Sequence, residues 1–104
     1  MEITPQELKS KMDQGEKITL IDVREPEEYA LCFLKGAKLI SLNELPERFA
    51  ELNSNDFTVL YCHLGGRSLQ AALWLKQNGF QNVWSLKGGI DAWAQTIEPA
   101  MERY

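Results

Sequence analysis

Thr58-Val59-Leu60-Tyr61-Cys62-His63-Leu64-Gly65-Gly66-Arg67-Ser68 joins a strand to a helix through a cysteine and a pair of glycines. The first four residues are β-branched, apolar or aromatic, as in a strand buried on both faces. Beyond the loop, a helix is expected from about Ser68 to Asn78. Leu69, Ala72 and Leu73, with Leu75 beside them, give it a broad apolar face, and Gly79 suits the position just past its end. Strand, short loop and helix form the unit of a parallel sheet. In such sheets ligands sit beyond the carboxyl ends of the strands. The segment Cys62 to Arg67 lies at such an end.

Each feature of that segment has a chemical consequence at Cys62. A helix N-terminus presents unpaired N–H groups and positive potential. Gly65 and Gly66 permit backbone angles that turn successive N–H groups inward as an anion-binding nest. Arg67 adds a permanent positive charge. Together these favour thiolate over thiol at Cys62, and a thiolate in an anion nest is a nucleophile for an anionic or sulfur-bearing substrate. The expected substrate-binding set is His63, Leu64, Gly65, Gly66, Arg67 and Ser68. His63 is either a base for Cys62 or a loop side chain pointing at solvent or the pocket wall. Adjacent residues on a curled loop rarely aim at one point, which favours the second.

Outward from the loop, strands alternate with helical patterns. Thr4-Pro5-Gln6-Glu7 has the form of a helix start, with Thr4 as cap, Pro5 in the first turn and Glu7 completing a capping box; Gly15 stops that helix. Ile18 to Val23 reads as a buried strand. Glu25-Pro26-Glu27-Glu28 opens a short helix reaching about Cys32, with acids at its positive end. Lys38 to Ser41 reads as a short strand. Leu42, Leu45, Phe49 and Leu52 fit one helix at period 3.6, with Pro46 in its first turn. Asn82 to Leu86 is a further strand, Gly88-Gly89 a turn, and Ile90 to about Gln95 a last helix. The tail from Ile97 to Tyr104 is expected to be irregular. The alternation predicts an α/β fold, a parallel sheet with helices on both faces.

Composition narrows the function. The 104 residues suit one domain spanning 1–104. Hydrophobic residues make up 44% and charged residues 25%, near globular averages. No apolar run approaches the roughly 20 residues of a membrane span, and the acidic, polar N-terminus does not read as a signal peptide. Eleven Lys and Arg against 15 Asp and Glu give a net charge of −4, which argues against a nucleic-acid reader. Two cysteines, Cys32 and Cys62, are too few for a disulfide scaffold, so a reducing cytoplasm is the expected setting. One histidine leaves no zinc-spaced cluster, and no metal or cofactor is expected.

Four segments resemble the rhodanese family, in its order and spacing from Ile3 to Trp93. Leu20-Ile21-Asp22-Val23-Arg24-Glu25-Pro26-Glu27-Glu28-Tyr29 is similar to the opening motif, and Gly36-Ala37 to the end of the next. Val59-Leu60-Tyr61-Cys62 with Gly66-Arg67-Ser68 is similar to the active-site strand and loop. Leu86-Lys87-Gly88-Gly89-Ile90-Asp91-Ala92-Trp93 is similar to the closing motif. The resemblance implies a five-stranded parallel sheet flanked by helices. It also implies sulfurtransferase activity through a persulfide on Cys62, a cycle that needs no general base. By the same matching Asp22 supports the active-site loop and Arg24 sits near the pocket among the substrate-binding residues. Both also have a purely structural reading, favoured for Asp22 as a strand-end carboxylate taking nearby N–H groups. Glu28 and Trp93 read as structural.

The stretch Tyr29 to Leu42 and the ending Ile97 to Tyr104 resemble one subgroup, the C-terminal rhodanese domain of adenylyltransferase–sulfurtransferase fusions. That subgroup implies a ubiquitin-like sulfur-carrier protein as acceptor and an adenylyltransferase as associate. The sulfur donor is thiosulfate or a desulfurase persulfide. Whether the chain is free-standing or an excised domain stays open. Cys32-Phe33 and Lys35 depart from the family's usual Gly-His and Pro. Cys32 is then either a small buried residue at a helix end or a resolving thiol for Cys62. Two other classes compete: a Cys-based phosphatase or arsenate reductase, and a catalytically silent binding module. In the phosphatases that this loop resembles, one residue more separates Cys from Arg. Four lie between Cys62 and Arg67, a tighter ring suited to one sulfur atom. The presence of Cys62 argues against the silent module.

Overall fold

A computed structural model describes residues 1–104. It contains strands β1 (Glu2–Ile3), β2 (Thr19–Asp22), β3 (Lys38–Leu39), β4 (Thr58–Tyr61) and β5 (Val83–Leu86). The helices are α1 (Pro5–Asp13), α2 (Pro26–Leu31), α3 (Leu45–Arg48), α4 (Gly66–Gln77) and α5 (Gly89–Thr96). The strands form one parallel sheet in the order β1-β5-β4-β2-β3. The expected α/β architecture with a five-stranded parallel sheet is therefore present.

Alternation along each strand divides the core into two layers. Ile21, Leu60 and Val83 pack with Leu45 of α3 and with Ala71, Ala72 and Leu75 of α4. Leu20, Val59, Tyr61 and Leu86 pack with Leu8 of α1 and with Ile90 and Trp93 of α5. All four residues of β4 are buried, in keeping with its apolar, aromatic and β-branched side chains. Cys62, one residue beyond β4, belongs to the α4 layer.

The capping box at α1 forms as expected. The Thr4 hydroxyl accepts from the Glu7 N–H at 3.1 Å, and the Thr4 N–H donates to Glu7 Oε1 at 2.9 Å. Two local expectations change. The segment Leu42–Glu51 is a 3₁₀ turn (Leu42–Glu44), the single α-turn of α3, and a second 3₁₀ turn (Phe49–Glu51), not one helix. Its apolar side chains still face the core, with Leu45 buried and Leu42, Phe49 and Leu52 partly so. Spacing alone does not distinguish a helix from a sequence of short turns that keeps the same residues inward. The edge strand β1 is the second change. Two residues are too few to show a period, and β1 exists only because Glu2 and Ile3 pair with Ser85 and Leu86.

Candidate active site

The site is built where β4 ends. Cys62 is 1% exposed, at the floor of the loop that leads to α4. Its Sγ accepts hydrogen bonds from the Gly65 N–H at 3.1 Å and the Ser68 N–H at 3.4 Å, and the Ser68 hydroxyl lies 3.5 Å away. Gly65 holds the bend with φ +110, and a Cβ there would press within 3.3 Å of the Gly88 nitrogen. The N–H groups of His63, Leu64, Gly66 and Arg67 have no acceptor within the protein. A curled loop therefore surrounds the sulfur with two N–H groups bonded to it and four more without partners.

A second helix start fixes the loop from below. The Ile90 N–H donates to the Cys62 carbonyl at 2.9 Å and the Asp91 N–H to the His63 carbonyl at 3.1 Å. These are orphan donors of the first turn of α5, and they are spent on the backbone of the loop. Gly89 makes the approach possible. It has φ +66, and a Cβ on it would overlap the His63 carbonyl. Sequence reading treated Gly88-Gly89 as a turn. Its contact with the Cys62 loop depends on bringing β4 and β5 side by side.

Arg67 lies beside the loop, but its guanidinium is engaged. Nη1 donates to Glu28 Oε1 at 2.7 Å and Nη2 to Oε2 at 3.0 Å. Glu28 also accepts from the Glu25 N–H at 3.1 Å and from the Tyr104 hydroxyl at 2.7 Å. The Arg67 hydrogen bonds, aided by that from Tyr104, lower the Glu28 pKa to about 2. The Arg67 guanidinium is held above its ordinary value by its hydrogen bonds to Glu28, against the cost of its burial. Arg67 thus contributes a clamped charge at the loop. Glu28, expected to be merely structural, is the carboxylate that clamps it.

Arg24 requires a correction. It was expected near the pocket among the substrate-binding residues, yet it is 0% exposed. Its guanidinium donates to both oxygens of Asp22, to the Glu28 and Cys32 carbonyls, and to the Tyr104 hydroxyl. Burial opposes its charge, but the bonds it donates to Asp22 and Tyr104 outweigh that and its pKa rises. Asp22 likewise supports Arg24 rather than the active-site loop. Its Oδ1 accepts the Arg24 N–H at 3.0 Å, in line with the structural reading of a strand-end carboxylate.

The other expected residues fall as follows. Leu64 stands out at the loop tip, 63% exposed. His63 forms no hydrogen bond with Cys62. Its ring stacks on Tyr104 at 4.0 Å between centroids, with Nε2 buried and unpartnered. Cys32 is buried in the α5 layer, opposite the layer of Cys62, with its Sγ 3.9 Å from Arg24 Nη1. That is the small buried residue of the two readings. Tyr104 was missed altogether. It donates to Glu28, accepts from Arg24 at 2.9 Å and covers His63, while Arg103 pairs with Asp91 at 2.9 Å. A tail without periodicity gives no sign that its last side chain folds back onto the sheet.

The model of the family described as "Rhodanese-like domain" matches residues 4–96. The chain belongs to the rhodanese-like domain family. The protein named "Probable adenylyltransferase/sulfurtransferase MoeZ" of Mycobacterium tuberculosis is 43% identical over 98% of this rhodanese-like chain, which spans 26% of that relative's length. A protein named "Sulfurtransferase" from Allochromatium vinosum is 35% identical over 90% of the chain and 88% of its own length. The crystal structure of a rhodanese-like domain protein from Staphylococcus aureus superimposes with a TM-score of 0.86 at 30% identity, covering 100% of this chain and 99% of that one. The rhodanese-like chain therefore spans about a quarter of the MoeZ relative and most of a short one.

Proposed function

We propose that this chain is a sulfurtransferase that carries sulfane sulfur as a persulfide on Cys62. What supports the reading is one observation: the Cys62 sulfur accepts two loop N–H bonds at the floor of a loop whose four remaining N–H groups have no acceptor. Such donors suit a second sulfur bearing negative charge, bonded to the first and lying within the loop. The Cys62 thiolate attacks the outer sulfur of thiosulfate. An S–S bond to Cys62 forms, the S–S bond of thiosulfate breaks, and sulfite leaves with the electron pair. A nucleophile such as cyanide or an acceptor sulfur then takes the outer sulfur, and the thiolate is regenerated with its electron pair. No proton need move in either displacement, so the absence of a bond from His63 to the sulfur is no obstacle.

Similarity to an adenylyltransferase/sulfurtransferase supports a protein acceptor, and we propose a ubiquitin-like sulfur carrier, with thiosulfate or a desulfurase persulfide as donor. The proposed setting is a reducing cytoplasm, where both cysteines stay free.

The test is mass spectrometry after incubation with thiosulfate and, separately, with a desulfurase and cysteine. A sulfur adduct on Cys62 is expected, while Cys62→Ser accepts none and loses thiosulfate:cyanide transfer with its fold intact, because serine cannot form a persulfide. Cys32→Ser keeps most activity. An adduct on Cys32 instead, or transfer by the Cys62 variant, overturns the assignment. The short loop further predicts no appreciable hydrolysis of p-nitrophenyl phosphate where sulfur moves readily. Phosphatase turnover comparable to sulfur transfer sinks the ring-size argument.

A further inference from the structure

We propose that Ser85 is a positioning residue for the Cys62 sulfur, acting through Ser68; this rests on the reading of Cys62 as the sulfur carrier. Ser85 lies on β5 between Trp84 and Leu86, with its neighbour on the same face, Val83, in the α4 layer. Ser85 and Ser68 are both 0% exposed. A hydroxyl in such a layer is costly unless it is hydrogen-bonded. The Ser85 Oγ has one side-chain partner, the Ser68 Oγ at 2.7 Å.

Counting hydrogens gives the direction of the chain. Each serine hydroxyl has one hydrogen to donate. If Ser68 donated to Ser85, the Ser85 hydrogen would have no acceptor among the protein groups around it. Ser85 therefore donates to Ser68. The Ser68 hydrogen is left for the loop, where the Gly65 carbonyl lies at 3.2 Å and Cys62 Sγ at 3.5 Å. The Gly65 carbonyl already accepts the Leu69 N–H at 3.1 Å. A sulfur carrying negative charge is the stronger claimant, since bonds to a charged acceptor exceed neutral ones. Ser68 thus brings a hydroxyl donor to the sulfur beside its own N–H and that of Gly65. The incoming bond from Ser85 polarises that hydroxyl and holds its rotamer. The two N–H donors come from the loop itself. The third is directed from a strand that the loop does not contain.

The experiment is a double-mutant cycle read by two assays: thiosulfate:cyanide transfer, and alkylation of Cys62 by iodoacetamide at fixed pH. Ser85→Ala is expected to slow both about threefold to tenfold, through kcat with KM unchanged, as for the loss of one hydrogen bond. Ser85→Thr, which keeps the hydroxyl, restores most of the rate. In a Ser68→Ala background, Ser85→Ala adds less than about twofold, because the path runs through Ser68. The proposal is overturned if Ser85→Ala slows both backgrounds equally, if it has no effect in the native one, or if Ser85→Thr fails to rescue while its melting temperature matches wild type. Alkylation does not depend on sulfur transfer. If wild type takes up no sulfur, the proposed function fails while the alkylation series still decides the role of Ser85.

Discussion

Glu28 receives hydrogen bonds from the Arg67 guanidinium, the Glu25 N–H and the Tyr104 hydroxyl, all of which need it ionised or at least accepting. Its pKa falls from 4.5 to about 2. A carboxyl whose folded value is depressed contributes stability above its unfolded pKa, and that contribution is lost as pH falls through the folded value. The window for Glu28 is therefore from about pH 4.5 down to about 2. Glu28→Gln should lower stability by about 1–2 kcal/mol at neutral pH, the pair being partly exposed. It should also flatten the acid limb of the stability curve. Urea titrations of both proteins from pH 2 to 7 measure this, and an unchanged acid limb in the variant would show that Glu28 is not the group responsible.

At the scale of elements, the Cys62 loop is held by the starts of two helices. The start of α4 gives N–H groups to the Cys62 sulfur, and the start of α5 gives N–H groups to the Cys62 and His63 carbonyls. The second contact depends on Gly89. Gly89→Ala places a methyl group against the His63 carbonyl and imposes a left-handed backbone on a residue with a side chain. The variant should lose about 2 kcal/mol or more of stability and, because the loop must move, most of its Cys62 alkylation rate. Gly79→Ala is the control: it is also left-handed, at φ +94, but has no atom within 4 Å of its Cβ. It should lose stability without losing alkylation. Equal alkylation in the two variants would mean that α5 does not set the loop.

Across the whole molecule, the tail brings Tyr104 back to the Arg24–Glu28–Arg67 group, 76 residues from Glu28 in the chain. Burial raises its phenol to about 12, with the bond from Arg24 opposing and that to Glu28 adding. A phenol whose folded value is raised contributes stability that is full below its unfolded pKa of 10 and is lost as pH rises toward 12. Tyr104→Phe keeps the ring on His63 and removes the hydroxyl. Its unfolding midpoint should be lower than wild type at pH 8, and the difference should shrink between pH 10 and 12. A difference that stays constant over that range would show that the Tyr104 hydroxyl does not carry the effect.

The layering is legible in the sequence, because a strand buried on both faces is mostly apolar, as Val59, Leu60 and Tyr61 are. So is the placing of Cys62, since a cysteine between a buried strand and a glycine-containing helix start lies among the unpaired N–H groups of that start. Both are local consequences of short-range geometry. Tertiary structure alone decided which partners the polar side chains take. Arg24 reads as a pocket cation until the fold closes Asp22, the Cys32 carbonyl and Tyr104 around it. Arg67 reads as a free charge until α2 brings Glu28 beside it. Ser85 reads as one polar residue in a strand until β5 sets it 2.7 Å from Ser68. β1 has no period to detect and is a strand only because β5 has an edge to pair. Asp22 and Cys32 are near Arg24 in the chain, but the contacts of Tyr104, Glu28, Ser68 and β1 join residues far apart in it, and those exist only once the sheet has been assembled.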